Sequence, residues 1–278
     1  MKKLLVILAV AAAFTSCREI ILEDRSECPS FLFFDIRNPE YFNGFESVHV
    51  GLFDYPEEQL MAADTTSVDE IQQRNFYFDI RNTPAVEGYG LMGYGRCISG
   101  RGASWTTPLG AQYDSLFRFY YRVPVARESF VVPVEFTKEH TKVTVRFTGV
   151  ESFEQASGVF PFSILVRGNT CGIDALTGLP LRGPFEYRPP EEGIGLFKFI
   201  LPRQADHDLK LEIYSKPGVY KPEGQIDTFD LWAILREKAG ITWEEKNLPD
   251  VYIQIDYREM QIQVQVSPWG SENISYEF

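Results

Sequence analysis

Histidine is scarce in this chain: His49, His140 and His207 are the only three in 278 residues, and no two are neighbours. An imidazole-rich metal centre, or a general base with ordered partners, has little to draw on. Cysteine is scarce too, at Cys17, Cys28, Cys97 and Cys171, and no two make a CxxC pair. Zinc is therefore disfavoured. Positive charge is in deficit, with 27 Lys and Arg against 39 Asp and Glu, a formal net charge of −12. That balance argues against nucleic acid, whose phosphates call for a basic face, and against docking the protein surface onto anionic lipid headgroups. After residue 14 no apolar run approaches the roughly 20 residues that a membrane-spanning helix needs. Nothing resembles a nucleophile elbow. The expectation is no catalytic residue, no metal site and no cofactor.

What the chain does have begins at its start. Lys2 and Lys3 precede an apolar run from Leu4 to Phe14, followed by the small pair Thr15 and Ser16 and then Cys17. A positive start, a short apolar segment and small residues before a cut make a secretory signal. With cysteine at the cut, the site resembles the lipobox of bacterial lipoproteins, so cleavage is expected between Ser16 and Cys17, with acylation of Cys17. Loss of Lys2 and Lys3 makes the mature chain two charges more negative. Each buried acyl CH₂ contributes about 0.8 kcal/mol, and two or more chains give stable anchoring. In an oxidising compartment the three other cysteines leave one pair and one over. Cys28 and Cys97 both fall in the first proposed domain and are expected to pair, leaving Cys171.

From Cys28 onward the pattern is strands. Apolar residues alternate over 31–36, 47–54, 75–80, 113–123, 129–136, 141–147, 160–166, 195–201 and 209–214, the half-buried strand signal. Val48, Val50 and Leu52 share one face, as do Val143, Val145 and Phe147. Residues 168–195 read as a long loop rich in glycine and proline. One helix is expected from Thr228 to Ala239, capped by Asp227 or Thr228 and stopped by Gly240, with Leu231, Ile234 and Leu235 on one face. A closing hairpin runs over 251–255 and 261–266, where Ile262, Val264 and Val266 alternate with glutamines and are expected to be buried. The fold class is all-β, with one short late helix, in two β-sandwiches. The division reads as a signal peptide over 1–16, a lipidated tether over 17–27, and sandwiches over 28–137 and 138–278. The pattern leaves open which sandwich takes strand 129–136.

Several constellations have bland readings. Gly88, Gly90 and Gly93 match GxGxxG by letters, but no helix follows, so a bulged, glycine-bearing strand is expected instead of a dinucleotide site. All three histidines read as surface residues. The segment 169–178 lacks the oxygen spacing of a calcium loop around Asp174. Phe117, Phe119, Tyr120 and Tyr121 offer stacking faces for sugars, yet at strand spacing most should be core. The many carboxylates read as a solvated acidic surface.

Four stretches together resemble one family, the fimbrial anchor lipoproteins of Bacteroides-type (type V) fimbriae. They are Cys17 with its short acidic tether to Cys28 and Pro29, the strand from Val48 to Asp54, the strand from Val143 to Gly149, and the late helix leading to Tyr252, Gln261–Val266 and Trp269. The resemblance implies two transthyretin-like sandwiches, attachment to the outer membrane through acyl chains, and a place at the fimbrial base that holds the shaft and limits its length. It implies no enzyme activity. The implied partner is a fimbrial shaft subunit, accepted by strand addition. Two other readings stand beside it: a surface glycan-binding lipoprotein, and an accessory or tip adhesin. A sugar binder should present an exposed aromatic platform, and an anchor an incomplete sheet edge or groove.

Overall fold

The structure is a computed structural model that describes residues 30–37, 47–55, 59–80, 88–95, 104–124, 129–149, 159–218, 224–256, 258 and 261–267. The first half contains β1 (Phe31–Ile36), β2 (Val48–Tyr55), β3 (Leu60–Thr66), α1 (Val68–Gln72), β4 (Tyr77–Asp79), β5 (Gly88–Gly95), β6 (Ser104–Thr106), β7 (Phe117–Pro124), β8 (Phe130–Val134) and β9 (Thr137–Lys138). The second contains β10 (His140–Thr148), β11 (Phe162–Asp174), β12 (Pro180–Tyr187), β13 (Glu191–Gly193), β14 (Leu196–Pro202), β15 (Lys210–Ser215), β16 (Gly224–Asp230), α2 (Leu231–Ala239), β17 (Asp250–Asp256) and β18 (Gln261–Ser267). The chain is all-β, with two helices among the described residues.

Two sandwiches result. In the first, the sheet β4-β1-β8 faces the sheet β3-β2-β5-β7-β9. Leu32 and Phe34 from one meet Val48, Val50 and Phe119 from the other in a shared core. β8 pairs parallel with β1, so strand 129–136 belongs to this first sandwich. In the second, β13-β14-β10-β17-β18 faces β12-β11-β15-β16. Val143, Val145 and Phe147 are buried as the alternation requires, against Ile164, Val166, Leu211 and Ile213.

One segment crosses the division drawn at residue 137. β6 leaves the first half and pairs antiparallel with β11 of the second sandwich, Trp105 opposite Ile173. Trp105, Tyr113 and Leu116 are buried in the second core, as is Phe53 from β2. The two sandwiches therefore share apolar contacts as well as chain.

The glycine segment is a strand without a bulge. β5 pairs in unbroken register with β2 and β7 over eight residues. Its glycines make room for rings: a Cβ on Gly93 would stand 2.1 Å from Phe119 Cε1. The expected loop over 168–195 is corrected more strongly. β11 continues to Asp174, and β12 and β13 fill most of the rest. Glycine and proline there mark register shifts along paired strands, between Gly168 and Thr170 and between Thr170 and Gly172. β3 and β16 also lay outside the expected strands, and the strand expected from 113 starts at Phe117.

The late helix is present but starts at Leu231. Asp230 is its N-cap, accepting from Ala233 N at 2.8 Å, while Asp227 and Thr228 lie in β16. Gly240 closes it with φ of 67°, the left-handed conformation glycine adopts without penalty. Leu231, Ile234 and Leu235 are buried, with Trp232. Ile262, Val264 and Val266 on β18 are only half-buried, because β18 is the last strand of its sheet.

α1 was not expected, although its sequence carries the Ser-x-x-Glu capping signal. Ser67 Oγ accepts from Glu70 N at 3.1 Å, and Glu70 Oε2 accepts from Thr66 Oγ1 at 2.7 Å and from Ser67 N at 3.2 Å. The Thr66 hydroxyl first, then the Ser67 N–H, hold the Glu70 carboxyl below its ordinary value of 4.5. A lowered carboxyl stabilises fully above 4.5 and loses that contribution as pH falls through the lowered value. Protection of the 68–72 amides, taken relative to their intrinsic exchange rate at each pH, should therefore fall on acidification below 4.5, and that step should be absent in Glu70→Gln. An equal response in both proteins would refute the assignment.

Candidate functional site

The expected covalent sites, Ser16, Cys17, Cys28 and Cys97, lie outside the described residues. Cys171 carries a free thiol, its Sγ 3.8 Å from the Leu181 carbonyl. Phe117 and Phe119 are core, while Tyr120 and Tyr121 are half-buried against the two cores. Asp174 Oδ1 is engaged by Thr177, through its N–H and its hydroxyl, both at 2.8 Å. That contact closes a turn. Among the described residues no cluster of three His, Cys, Asp or Glu is placed to hold a metal, and no helix is long and apolar enough to cross a membrane.

The histidines divide. His49 sits on β2 and pairs its Nδ1 with Thr65 Oγ1 at 2.8 Å. His207 is exposed and stacks on Trp232, ring centroids 4.7 Å apart. His140, expected at the surface, is fully buried. Its Nδ1 lies 2.9 Å from the Leu116 carbonyl. A carbonyl only accepts, so Nδ1 carries the proton. The residue opens β10, and its turn-like neighbours in sequence hid that position.

His140 directly follows Glu139, the centre of a charged clasp where the sandwiches meet. Thr137 and Lys138 pair with β7 of the first sandwich, and residue 140 already belongs to the second. Glu139 stands between them, its side chain 4% exposed. Its Oε2 accepts from Arg203 Nε at 2.7 Å and its Oε1 from Thr137 Oγ1 at 2.8 Å. Arg118 Nε lies 3.5 Å from Oε1, near enough for an ion pair but not directed as a hydrogen bond. Arg118 comes from β7 and also donates to the carbonyls of Ala175 and Leu176 at 3.3 and 3.4 Å, in the turn between β11 and β12. Gly178, φ 73°, leaves the guanidinium its space, since a Cβ there would stand 2.0 Å from Nη2. Arg203 donates onward to the Trp243 carbonyl.

Lys138 is buried beside this group. Its Nζ donates to the Leu248 carbonyl at 3.0 Å and pairs with Asp250, whose Oδ1 also accepts from Lys142 N at 2.9 Å. Burial pushes the Lys138 ammonium below its ordinary value, and Asp250 opposes that shift. Burial likewise lowers Arg118, with Glu139 opposing. Apart from Arg118 Nε, which has the Glu139 charge beside it but no directed hydrogen bond, these groups are held by one another and by backbone. The arrangement offers no nucleophile and no open coordination position. What it does is hold two sandwiches in one geometry.

Two surface features bear on binding. On the outward side of β1 and β4, Phe31, Phe33 and Tyr77 pack as a cluster, with Phe31 and Tyr77 4.7 Å apart and Phe33 and Tyr77 5.6 Å apart. Tyr77 is 46% exposed, with exposed Val131 on the neighbouring strand β8. The rings are inclined at 65° and 54°. The second feature is the end of the sheet at β18. Its Val266 borders a groove of about 430 Å³ between the C-terminus of α2 and the loop leading to β17.

No protein-family profile matches the chain, and no curated protein sequence matches it. Solved structures do. The fimbrial anchor protein Mfa2 from Porphyromonas gingivalis superposes with a TM-score of 0.55 at 12% identity, covering 87% of this chain and 98% of that one. A candidate adhesin from Bacteroides ovatus gives 0.56 at 12%, covering 88% and 96%. A candidate polysaccharide-binding protein from Bacteroides thetaiotaomicron gives 0.56 at 9%, covering 87% and 96%. The two-sandwich fold is thus one that fimbrial and adhesin structures of Bacteroides-type bacteria share, over nearly their whole length.

Proposed function

We propose that this chain is an outer-membrane lipoprotein that anchors a fimbrial shaft at its base and limits its length. The observation that carries the reading is the fold shared with a fimbrial anchor over 98% of that protein. The lipobox cysteine Cys17, placed before an acidic tether and the first strand, supports it. On this reading the protein is no enzyme and takes no cofactor. Acyl chains on Cys17 hold it in the membrane at the cell surface, and a strand from the shaft subunit docks in its sheets. The clasp around Glu139 transmits load between the sandwiches without opening.

Deleting the chain should leave shaft subunits polymerising but detached, with fibres shed into the medium and often longer. Cys17→Ala should reproduce the shedding and leave the protein soluble or unprocessed. The check is a count of cell-bound and shed fimbriae, with membrane fractionation of the variant. Normal retention and normal fibre length in the deletion strain would defeat the anchor reading.

A second reading, glycan binding, is favoured by the cluster of exposed Tyr77 with half-buried Phe31 and Phe33. Its rings are inclined to one another and do not form a flat strip, so they suit mutual edge-to-face packing better than stacking along a sugar chain. Specific retention of the purified mature protein on a polysaccharide gel, abolished by Tyr77→Ala, would establish this reading over the anchor.

A further inference from the structure

A strand with one face on a core and one in water alternates apolar and polar residues, whereas a strand covered on both faces reads as a continuous apolar run. β1 opens Phe31-Leu-Phe-Phe34, apolar on both faces. Leu32 and Phe34 are buried in the first core. Phe31 and Phe33 point the other way and pack beside Tyr77, at 4.7 and 5.6 Å. Val131 stands opposite Phe33 on β8. Tyr77 and Val131 are 46% and 38% exposed. The outward face of the sheet β4-β1-β8 is thus an apolar surface that the first core does not use.

The chain enters this face at a fixed point. Ser30 is buried, and its carbonyl accepts from Ile80 N at 2.9 Å, while Phe31 N donates to Ser129 Oγ at 3.0 Å. The tether that precedes Ser30 therefore starts within one residue of the aromatic cluster. It is mostly charged, but Ile20, Ile21 and Leu22 stand together between Arg18-Glu19 and Glu23-Asp24-Arg25. Three consecutive large aliphatic residues have no place in a solvated linker unless there is a surface for them to cover.

We propose that Ile20, Ile21 and Leu22 fold back over Phe31, Phe33, Tyr77 and Val131, so that the tether is a strap on the first sandwich and not a free linker. The seven residues 23–29 join the segment to Ser30 and span at most about 25 Å when extended. The face is smaller: Phe31 and Phe33 lie about 7 Å apart along β1, and the neighbouring strands are about 4.8 Å to either side. Lipid and a second copy fit less well. Glu19, Glu23 and Asp24 would have to follow the aliphatic residues toward anionic headgroups. Asp79, opposite Phe31, and Asp35, opposite Pro133, border the face itself. Two copies placed face to face would set those carboxylates against each other, on chains of net charge −12. What the strap does at the membrane rests on the acylation of Cys17 proposed above. Once it is seated, only Arg18 and Glu19 separate the lipidated residue from the docked segment, about 10 Å of chain. The first sandwich is then held close to the membrane in a set orientation, instead of trailing at the end of residues 18–29.

The test is Tyr77→p-benzoylphenylalanine in the full-length chain, expressed in cells of the native strain and irradiated there. Mass mapping should find the tryptic peptide 75–81 joined to peptide 19–25 of the same chain. The join should persist in Cys17→Ala, because the contact needs no lipid. It should fall about tenfold in Ile20→Ser with Leu22→Ser, which removes two of the apolar side chains and leaves the core behind the sheet untouched. Joining of peptide 75–81 to lipid or to a second copy in place of peptide 19–25 would overturn the proposal. So would the absence of any join to peptide 19–25, or an equal yield in the double-serine variant. The two levels separate cleanly. If the parent chain proves soluble while the join forms, the strap stands and the lipid anchor falls; if the chain is acylated and the join is absent, the strap alone falls.

Discussion

Glu139→Ala is expected to destabilise the protein by about 3–5 kcal/mol, the usual consequence of removing one partner from a buried ion pair. The carboxylate is the shared acceptor for Arg203 and the counter-charge of Arg118, whose side chains are 12% and 14% exposed. Neither guanidinium loses its charge at any accessible pH. Both would remain buried with only carbonyl partners. Against a total stability of about 5–15 kcal/mol, the loss is large. Because Arg118 comes from the first sandwich and Arg203 from the second, the damage falls on their junction. Urea denaturation should show a lower midpoint, and one cooperative transition should split toward two. Glu139→Gln, which keeps an acceptor but not the charge, should fall between. A midpoint for Glu139→Ala within error of the parent would show that the clasp carries no net stability.

Gly172→Val should be comparably severe by a different route. A Cβ at residue 172 would stand 1.9 Å from the Trp105 carbonyl oxygen and 3.0 Å from Thr106 Cα. Those are backbone atoms of β6 and cannot turn aside as a side chain does. β6 must leave β11, and with it goes Trp105, 5% exposed in the second core. Truncating a buried tryptophan costs about 3–5 kcal/mol, which sets the scale of the loss. Gly183→Ala is the matched control. Its Cβ would meet the Cys171 Sγ at 2.6 Å and the Cys171 Cβ at 3.4 Å, an ordinary contact, and the thiol can change rotamer. Limited proteolysis should cut near 104–106 in Gly172→Val and not in Gly183→Ala. Equal resistance in the two variants would mean that β6 is not held by this contact.

Both predictions concern features that composition and periodicity do not reveal. Glu139 reads in sequence as one more carboxylate on an acidic chain. It becomes a junction residue because β9 and β10 follow one another with a single residue between them, which delivers it to arginines 21 and 64 positions away. His140 went the same way: the short polar stretch before 141–147 resembles a turn, and only the pairing of β10 with β14 shows it inside. The register shifts of β11 and β12 place glycine and proline inside paired strands, so the local signals that usually mark a loop marked irregular pairing. The short helix α1 is the opposite case. Its capping box was present in the letters Ser67 to Glu70, and a five-residue helix has too little periodicity to draw attention to it.

The sequence by itself determined the elements whose stability is local or whose pattern is strict. Alternation over Val48–Leu52, Val143–Phe147 and Gln261–Val266 marked strands because a pleated chain sends successive side chains to opposite faces. Gly240 stopped the late helix because a left-handed residue ends it at little cost. The expected signal and lipid site at Cys17, the all-β class and the resemblance to fimbrial anchors rest on such patterns. Tertiary structure alone decided what depends on distant segments: that β6 crosses into the second sandwich, that Glu139 binds arginines from both, that β18 is the last described strand of its sheet and takes Lys238 on its Ile262 carbonyl. Those outcomes depend on which strands pair and in what register. Pairing joins residues far apart in the chain, and no local pattern encodes it.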